Sequence, residues 1–331
     1  MTALERTEVK TAKLRLSDHG LRWTVPPGVE RLAVSFSGGR SSAIMTRLVI
    51  EACVNRPDIE IAVVFANTGA EHTETLSFVE RCQKQWGFPV TWVEAEINPE
   101  HGKGVRHRIV DSGTASRTGR PFRDFVAKHG VPSRAQPQCT TRLKILPMES
   151  FIKRGLGWQR GKYHTCIGIR ADEIDRMSVR QEELGILYPL IDCDVVKEQV
   201  KALMRATGFD LNLPGDHYGN CVTCYKKTKR KLLTIAQDDP SHFDLFRMLE
   251  SEFGSVKARD ERRSFFMENG NVFGVEDILR EAESFPRSRR YSDSRQRTLW
   301  DEALDFGSGC GESCEVDPGL MSNIEHNGGT E

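Results

Sequence analysis

Two stretches of the chain bring together residue types that do chemistry, at spacings that let them act as a unit. The first is SFSGGRSS, residues 35–42, where Ser35, Ser37, Ser41 and Ser42 offer hydroxyls and Arg40 a guanidinium. Gly38 and Gly39 supply backbone free of Cβ atoms. The stretch lies between an apolar run, RLAVSF, and a segment of helical spacing, SSAIMTRLVIEACV. Its N–H groups would therefore stand at a helix N-terminus, where exposed donors and partial positive charge suit phosphate or sulfate. The spacing matches neither Gly-x4-Gly-Lys-Ser/Thr nor Gly-x-Gly-x-x-Gly.

The second stretch is GNCVTCYKK, with Cys221 and Cys224 in a Cys-x-x-Cys unit; Cys139 lies well upstream, and Cys310 and Cys314 follow near the C-terminus. Such a unit serves zinc, iron–sulfur or thiol redox chemistry. Nine cysteines, an odd number in a chain whose opening residues carry no apolar secretion signal, point to thiol or metal chemistry rather than a disulfide framework. Cys53 and Cys82 fall on apolar helical faces, Cys166 lies in a strand-like run and Cys193 stands beside Asp192 and Asp194; these four read as packing residues. His101, His107, His164, His217 and His242 have no zinc-protease spacing.

The elements that must hold these groups read as alternating strands and helices. RLAVSF and IEIAVVFANT are short apolar runs, each followed by helical spacing, and PVTWVEAEI makes a third strand. In HTETLSFVERCQKQWG, Leu76, Val79 and Cys82 share one face and Gly87 ends the helix. The expectation is right-handed βα units around a parallel sheet. Residues 101–134 break the pattern, with glycines among Lys103, Arg106, Arg108, Arg117, Arg120 and Arg123, and read as a solvated loop or a mobile basic lid over an anion. RLKILPMESFIKRGLG and EQVKALMRATG read as helices, YHTCIGIR as a buried strand, and residues 229–254 as helix broken near Pro240. KKTKRK, residues 226–231, reads as a solvated helix face or a polyanion contact. The expected divisions are an N-terminal segment 1–30, a nucleotide-binding α/β domain 31–215, a Cys-x-x-Cys helical region 216–283 and an irregular tail 284–331.

Four of these stretches carry a family resemblance. SFSGGRSS resembles the pyrophosphate loop (PP-loop) of the adenine nucleotide alpha-hydrolase superfamily. FANTGAEHTETLSFV, QCTTRLKILPME and GIRADEIDRMS resemble segments of its phosphoadenosine phosphosulfate (PAPS) reductase branch, the second being a Cys-x-x-Arg-x-x-x-x-Pro pattern. The resemblance implies a Rossmann-like α/β fold, a parallel twisted sheet with helices on both faces, followed here by a helical, cysteine-containing extension. It implies an adenine nucleotide, ATP or PAPS, on Ser35, Ser37, Gly38, Gly39, Arg40, Ser41 and Ser42. Asn67, Thr68 and Gly69 would lie beside the adenosine, and Gly168 and Arg170 would close the site. Arg40, Arg142 and Lys144 are the candidate catalytic cations. Ser41 stands where ATP-splitting members carry an aspartate able to organise magnesium, so the choice of nucleotide and the use of Mg2+ stay open.

The arrangement of Cys139 before Cys221 and Cys224 resembles iron–sulfur adenylylsulfate reductases, with Gln138 in place of the first cysteine of their Cys-Cys pair. This implies a [4Fe-4S] cluster on Cys139, Cys221 and Cys224, with Cys310 or Cys314 as fourth ligand, and zinc as the competing metal. The reductases' C-terminal Glu-Cys-Gly-Leu/Ile-His motif is missing. Three functions follow as alternatives: ATP-dependent thiolation, with DNA phosphorothioation as one form and a cysteine desulfurase as sulfur donor; a PAPS or adenylylsulfate reductase forming sulfite with a thiol reductant; or a non-catalytic, metal-stapled nucleic-acid-binding module.

Composition narrows the setting. The 331 residues carry 47 basic and 47 acidic side chains, so any contact with nucleic acid depends on local clustering rather than net charge. A mean hydropathy of -0.47 without a long apolar run leads to the expectation of a cytoplasmic protein with no membrane partner.

Overall fold

The structure, a computed structural model, describes residues 15–100, 102–133, 137–256, 263–268 and 271–292. The tail cysteines Cys310 and Cys314 lie outside the described residues. Six strands form one sheet: β1 (Arg31–Ser35), β2 (Glu60–Asn67), β3 (Val90–Ile97), β4 (Val105–Val110), β5 (His164–Cys166) and β6 (Ile186–Leu187), in the order β4-β3-β2-β1-β5-β6. All neighbouring pairs are parallel except β3 with β4.

Both faces are covered, which is why β1 and β2 read as unbroken apolar runs. On one face Leu32, Val34, Val63 and Phe65 share a core with Ile44, Leu48 and Val49 of α1 (Arg40–Cys53) and Leu76, Val79 and Cys82 of α2 (Thr73–Trp86). Leu16, Trp23, Val25 and Val29, from the segment before β1, bury into the same core. On the other face Ala33, Val64, Ala66 and Val93 pack against Met148, Phe151 and Ile152. Gly87 ends α2 at φ 62°, the left-handed conformation its position in the sequence predicts.

Residues 102–133 are ordered, contrary to the loop or lid expected. β4 runs antiparallel along the edge of the sheet, and α3 (Arg120–His129) buries Phe122, Phe125 and Val126. The arginines and glycines hid both: Arg106 and Arg108 interrupt the strand pattern on its partly solvated face, while Gly119 at φ 77° and Pro121 start the helix. The parallel sheet expected is present, with one antiparallel edge at β4.

The helix carrying Cys139, Arg142 and Lys144 opens with a widened π turn, Thr141–Ile145, in which the Leu146 N–H donates to the Thr141 carbonyl. It continues as α4 (Leu146–Arg154). Pro147 gives the reason, since a proline ring clashes with the carbonyl four residues back and the wider turn relieves it.

After α5 (Lys197–Thr207) the chain builds a second core. Tyr218, Val222 and Tyr225 of the Cys-x-x-Cys loop join Phe122, Phe125 and Leu143, α6 (Lys229–Asp238), α7 (Asp244–Phe253) and α8 (Val275–Ser284). A hairpin of β7 (Phe266–Glu268) and β8 (Asn271–Phe273) precedes α8. The basic run 226–231 does not form the solvated face expected. Lys227 is 4% exposed, and its Nζ donates to the carbonyls of His217, Gly219 and Val222 at 2.5, 2.9 and 2.9 Å. Lys229 pairs with Glu281, and Arg230 and Lys231 lie over the Tyr291 ring. Among the described residues no helix is long and apolar enough to cross a membrane.

Candidate functional site

The loops after β1, β2 and β5 meet at the carboxyl edge of the sheet, where ligands enter α/β folds. After β1 the chain turns through Gly38, at φ 78°, and reaches Gly39, which starts α1 without any side-chain cap. The N–H groups of a helix's first turn have no partner within the helix, and such donors suit an anion. Ser37 and Ser42 hydroxyls pair at 2.8 Å, and the Ser37 N–H donates to Ser42 Oγ. Gly38 is needed for a second reason besides backbone approach: a Cβ there would come within 2.7 Å of Thr75 Cγ2.

From the loop after β5, Arg170 is 5% exposed and donates to Ser41 Oγ at 2.8 Å. Asp172 holds the same guanidinium through two hydrogen bonds, and Glu173 stands 3.3 Å from it. Gly168 and Ser35 are buried at the strand ends beneath. Ser41, at the position where an acid was wanted for magnesium, is thus bound to a cation.

The turn after β2 is built largely for its own support. Asn67 is fully buried; its amide donates to Glu94 at 2.8 Å and to the Ser116 carbonyl, and its own oxygen accepts from the Gly69 N–H. Gly69 lies against Gly119, so this turn and the segment before α3 touch backbone to backbone. Glu94, 0% exposed, also accepts from the Ser116 N–H at 2.6 Å and from Arg108 and Arg120 at 2.5 and 3.1 Å. Burial raises the pKa of its carboxyl, but these donors outweigh burial and hold it below the ordinary glutamate range.

Thr68 faces the cysteines. Its N–H and hydroxyl donate to Glu71 Oε2, and its hydroxyl lies 3.5 Å from Cys221 Sγ. Glu71 and Cys221 form an isolated antiparallel bridge, and the Val222 N–H donates to the Ala70 carbonyl. The Glu71 side chain is 1% exposed; its Oε1 has no hydrogen-bond partner among the described residues and stands 3.7 Å from Lys144 Nζ. Burial pushes the Cys221 thiol pKa up, with the Glu71 carboxylate adding to the rise and Lys144 opposing it. Cys139 contacts the Tyr225 hydroxyl at 3.1 Å, and Cys224 is buried one turn from Cys221. The three thiols expected as ligands thus border one loop. As they stand, however, no group of three or more His, Cys, Asp or Glu among the described residues is close enough to hold a metal ion.

The three candidate cations separate. Lys144 faces Glu71. Arg142 has a buried Nε without a hydrogen-bond partner among the described residues, and desolvation lowers its pKa; it is the cation least compensated by protein. Arg40 does not point to a phosphate site. Its Nε donates to Asp210 at 2.7 Å, one terminal nitrogen to Asp216 at 2.9 Å and the other to the Leu211 carbonyl at 2.7 Å. The sequence pattern missed Glu94, Asp210, Asp216 and the buried role of Lys227. Only Glu94 left a signal, a carboxylate that with Glu96 interrupts an apolar strand run, and a buried charge is seldom idle. Cys82 and Cys166 are buried with raised pKa, as inert core thiols are, and Cys53 is buried with them; Cys193 is half-buried and donates to the Arg22 carbonyl.

A phosphoadenosine phosphosulfate reductase domain model matches residues 31–177. An uncharacterized nin region protein of Escherichia phage lambda is 33% identical over 299 residues, covering 87% of this chain and 96% of that protein. An uncharacterized protein of Methanocaldococcus jannaschii is 23% identical over 120 residues, 36% of this chain and 22% of its own length. Among solved structures, the U34-tRNA thiolase NcsA from Methanococcus maripaludis with its [4Fe-4S] cluster covers 85% of this chain and 77% of its own, at a TM-score of 0.36 and 14% identity. That last likeness is too distant to assign chemistry.

Proposed function

Because the chain belongs to the PAPS reductase-like branch of the PP-loop superfamily, whose members are nucleotide-dependent enzymes of sulfur chemistry, we propose that it transfers sulfur to an acceptor activated by an adenine nucleotide. One observation carries this reading: the uncapped first turn of α1, ringed by Ser37, Ser42 and the Ser41–Arg170 pair, opens on the same sheet edge as the Thr68–Cys221 contact. A nucleotide anion on the first would be one strand away from the thiols of the second. In the thiolation form, ATP activates an acceptor oxygen with loss of pyrophosphate and sulfur arrives from a cysteine desulfurase; a nucleic-acid phosphate is one such acceptor. Arg142, the candidate cation least compensated by protein, would meet an anionic group of the substrate.

One observation favours the second reading, a PAPS or adenylylsulfate reductase. Ser41 is tied to Arg170 instead of offering a carboxylate to magnesium, which suits a nucleotide bound without a metal. Calorimetry with ATP and with PAPS, with and without Mg2+, followed by assays for pyrophosphate and sulfite, separates the two. Failure of both nucleotides to bind would sink the proposal.

The cofactor proposed with it is an iron–sulfur cluster on Cys139, Cys221 and Cys224. Its support is the gathering of three thiols at one loop; the thiols would have to turn toward one another to bind it. Such a cluster would supply thiolate-ligated iron able to hold sulfide or an electron. Anaerobically prepared protein should contain iron and acid-labile sulfide, and Cys221→Ser should lose both while Cys53→Ser keeps them. Stoichiometric zinc without sulfide would replace the cluster with a structural site.

A further inference from the structure

We propose that Arg40, with Asp210 and Asp216, is a positioning device that fastens the Cys-x-x-Cys loop to the first turn of the nucleotide-binding helix, so that the two halves of the site move together. The inference rests on the nucleotide reading above and deepens it. Arg40 is the first residue of α1, a place where a cation is unfavourable against the helix dipole unless something compensates it. Here the compensation is complete: all three guanidinium nitrogens are engaged by residues 210–216, and Arg40 and Asp216 are both largely buried. A guanidinium suits this task because its planar fork holds two carboxylates and a carbonyl in fixed directions.

The connection continues beyond Asp216. Lys197 and Lys201 of α5 approach its second oxygen at 3.4 and 3.9 Å, and Arg81 of α2 donates to the Asp210 carbonyl. Asp216 opens the short turn Asp216–Tyr218, and Lys227 grips His217, Gly219 and Val222 from within. Residues 216–222 are thereby one braced unit, with Cys221 at its end against Thr68. An anion seated on the first-turn N–H groups of α1 stiffens the turn that carries Arg40. The tether passes that stiffening to the cysteine loop.

Hydrogen–deuterium exchange on the full chain tests this. Asp216→Asn keeps the shape and removes the charge. Exchange of the amides in 216–224 should rise about tenfold, the factor expected for loss of one charge-assisted hydrogen bond, while peptides of β1 and β2 stay unchanged. Arg40→Ala should reproduce the rise and Arg40→Lys should restore part of it. In the parent protein, saturating ATP or PAPS, whichever binds, should slow exchange both in 37–44 and in 216–224; in Asp216→Asn it should slow only the former. Unchanged exchange of 216–224 in Asp216→Asn, or nucleotide protection of that segment persisting in the variant, overturns the tether. Absence of protection in 37–44 with either nucleotide overturns the nucleotide reading instead, and the effect of Asp216→Asn on unliganded protein still decides the tether.

Discussion

At the scale of single residues, Glu94 shows how one buried charge can organise a site it does not enter. It joins β3, β4, the β2 turn and the start of α3 through hydrogen bonds from Asn67, Arg108, Ser116 and Arg120. Glu94→Gln should lower stability by about 2 kcal/mol, below the usual cost of breaking a buried ion pair because both arginines are half-exposed and can rehydrate. The pH dependence has a definite sign. With its folded pKa held below the unfolded value, Glu94 contributes fully above the ordinary glutamate pKa of about 4.3 and loses that contribution as pH falls through the lower folded value. Urea midpoints of parent and variant should therefore converge toward acid; parallel curves would mean that the charge is immaterial. Asn67 shows the limit of reading such roles from sequence. Its place in an Asn-Thr-Gly turn was visible, but its partner Glu94 lies across the strand register and becomes a neighbour only in the sheet.

At the scale of elements, the Cys-x-x-Cys loop is held by a cation, since Lys227 satisfies three carbonyls that would otherwise be buried without donors. Lys227→Met should cost about 3 kcal/mol, because it strands several acceptors at once. Lys229→Ala, which breaks a partly exposed ion pair with Glu281, should cost at most about 1 kcal/mol. Thermal unfolding of the two variants separates them, and equal shifts would mean the run 226–231 acts as one diffuse charge. Composition could not distinguish these lysines, which stand two residues apart on opposite sides of a helix start. Strands and helices with a clean apolar period, such as β1, β2 and α2, were legible. β4 and α3 were not, because arginines on their solvated side and the flanking glycines mimic a loop.

At the scale of the molecule, the nucleotide-binding sheet and the C-terminal helices are joined through a shared core in which Phe122, Phe125 and Leu143 meet Val222, Tyr225, Leu233, Phe246 and Ile278. The division expected at residue 215 therefore runs along a packed surface. Cutting there should leave neither part folded alone, and calorimetry of the whole chain should give one cooperative transition. Two well-separated transitions, or a soluble folded fragment ending at 215, would contradict this. Few signals in the sequence could reveal that core, whose members are spread over more than half the chain and are individually unremarkable apolar residues. The nucleotide loop, by contrast, is local, and its serines and glycines stand together in residues 35–42.

The π turn before Pro147 has a consequence for where this helix aims its side chains. A π turn is an α-helix carrying one surplus residue, and one residue is about 100° of helical phase. If the turn closed into regular α geometry with all its residues kept, everything N-terminal to it would rotate by that angle against the face that packs on β1 to β3. Lys144 would swing off Glu71, Cys139 off Tyr225, and Arg142 round to another azimuth, all without any of those residues being replaced. The widened turn is a phase setting, and a chain that lost the turn but not the residue would keep its motif while losing its aim.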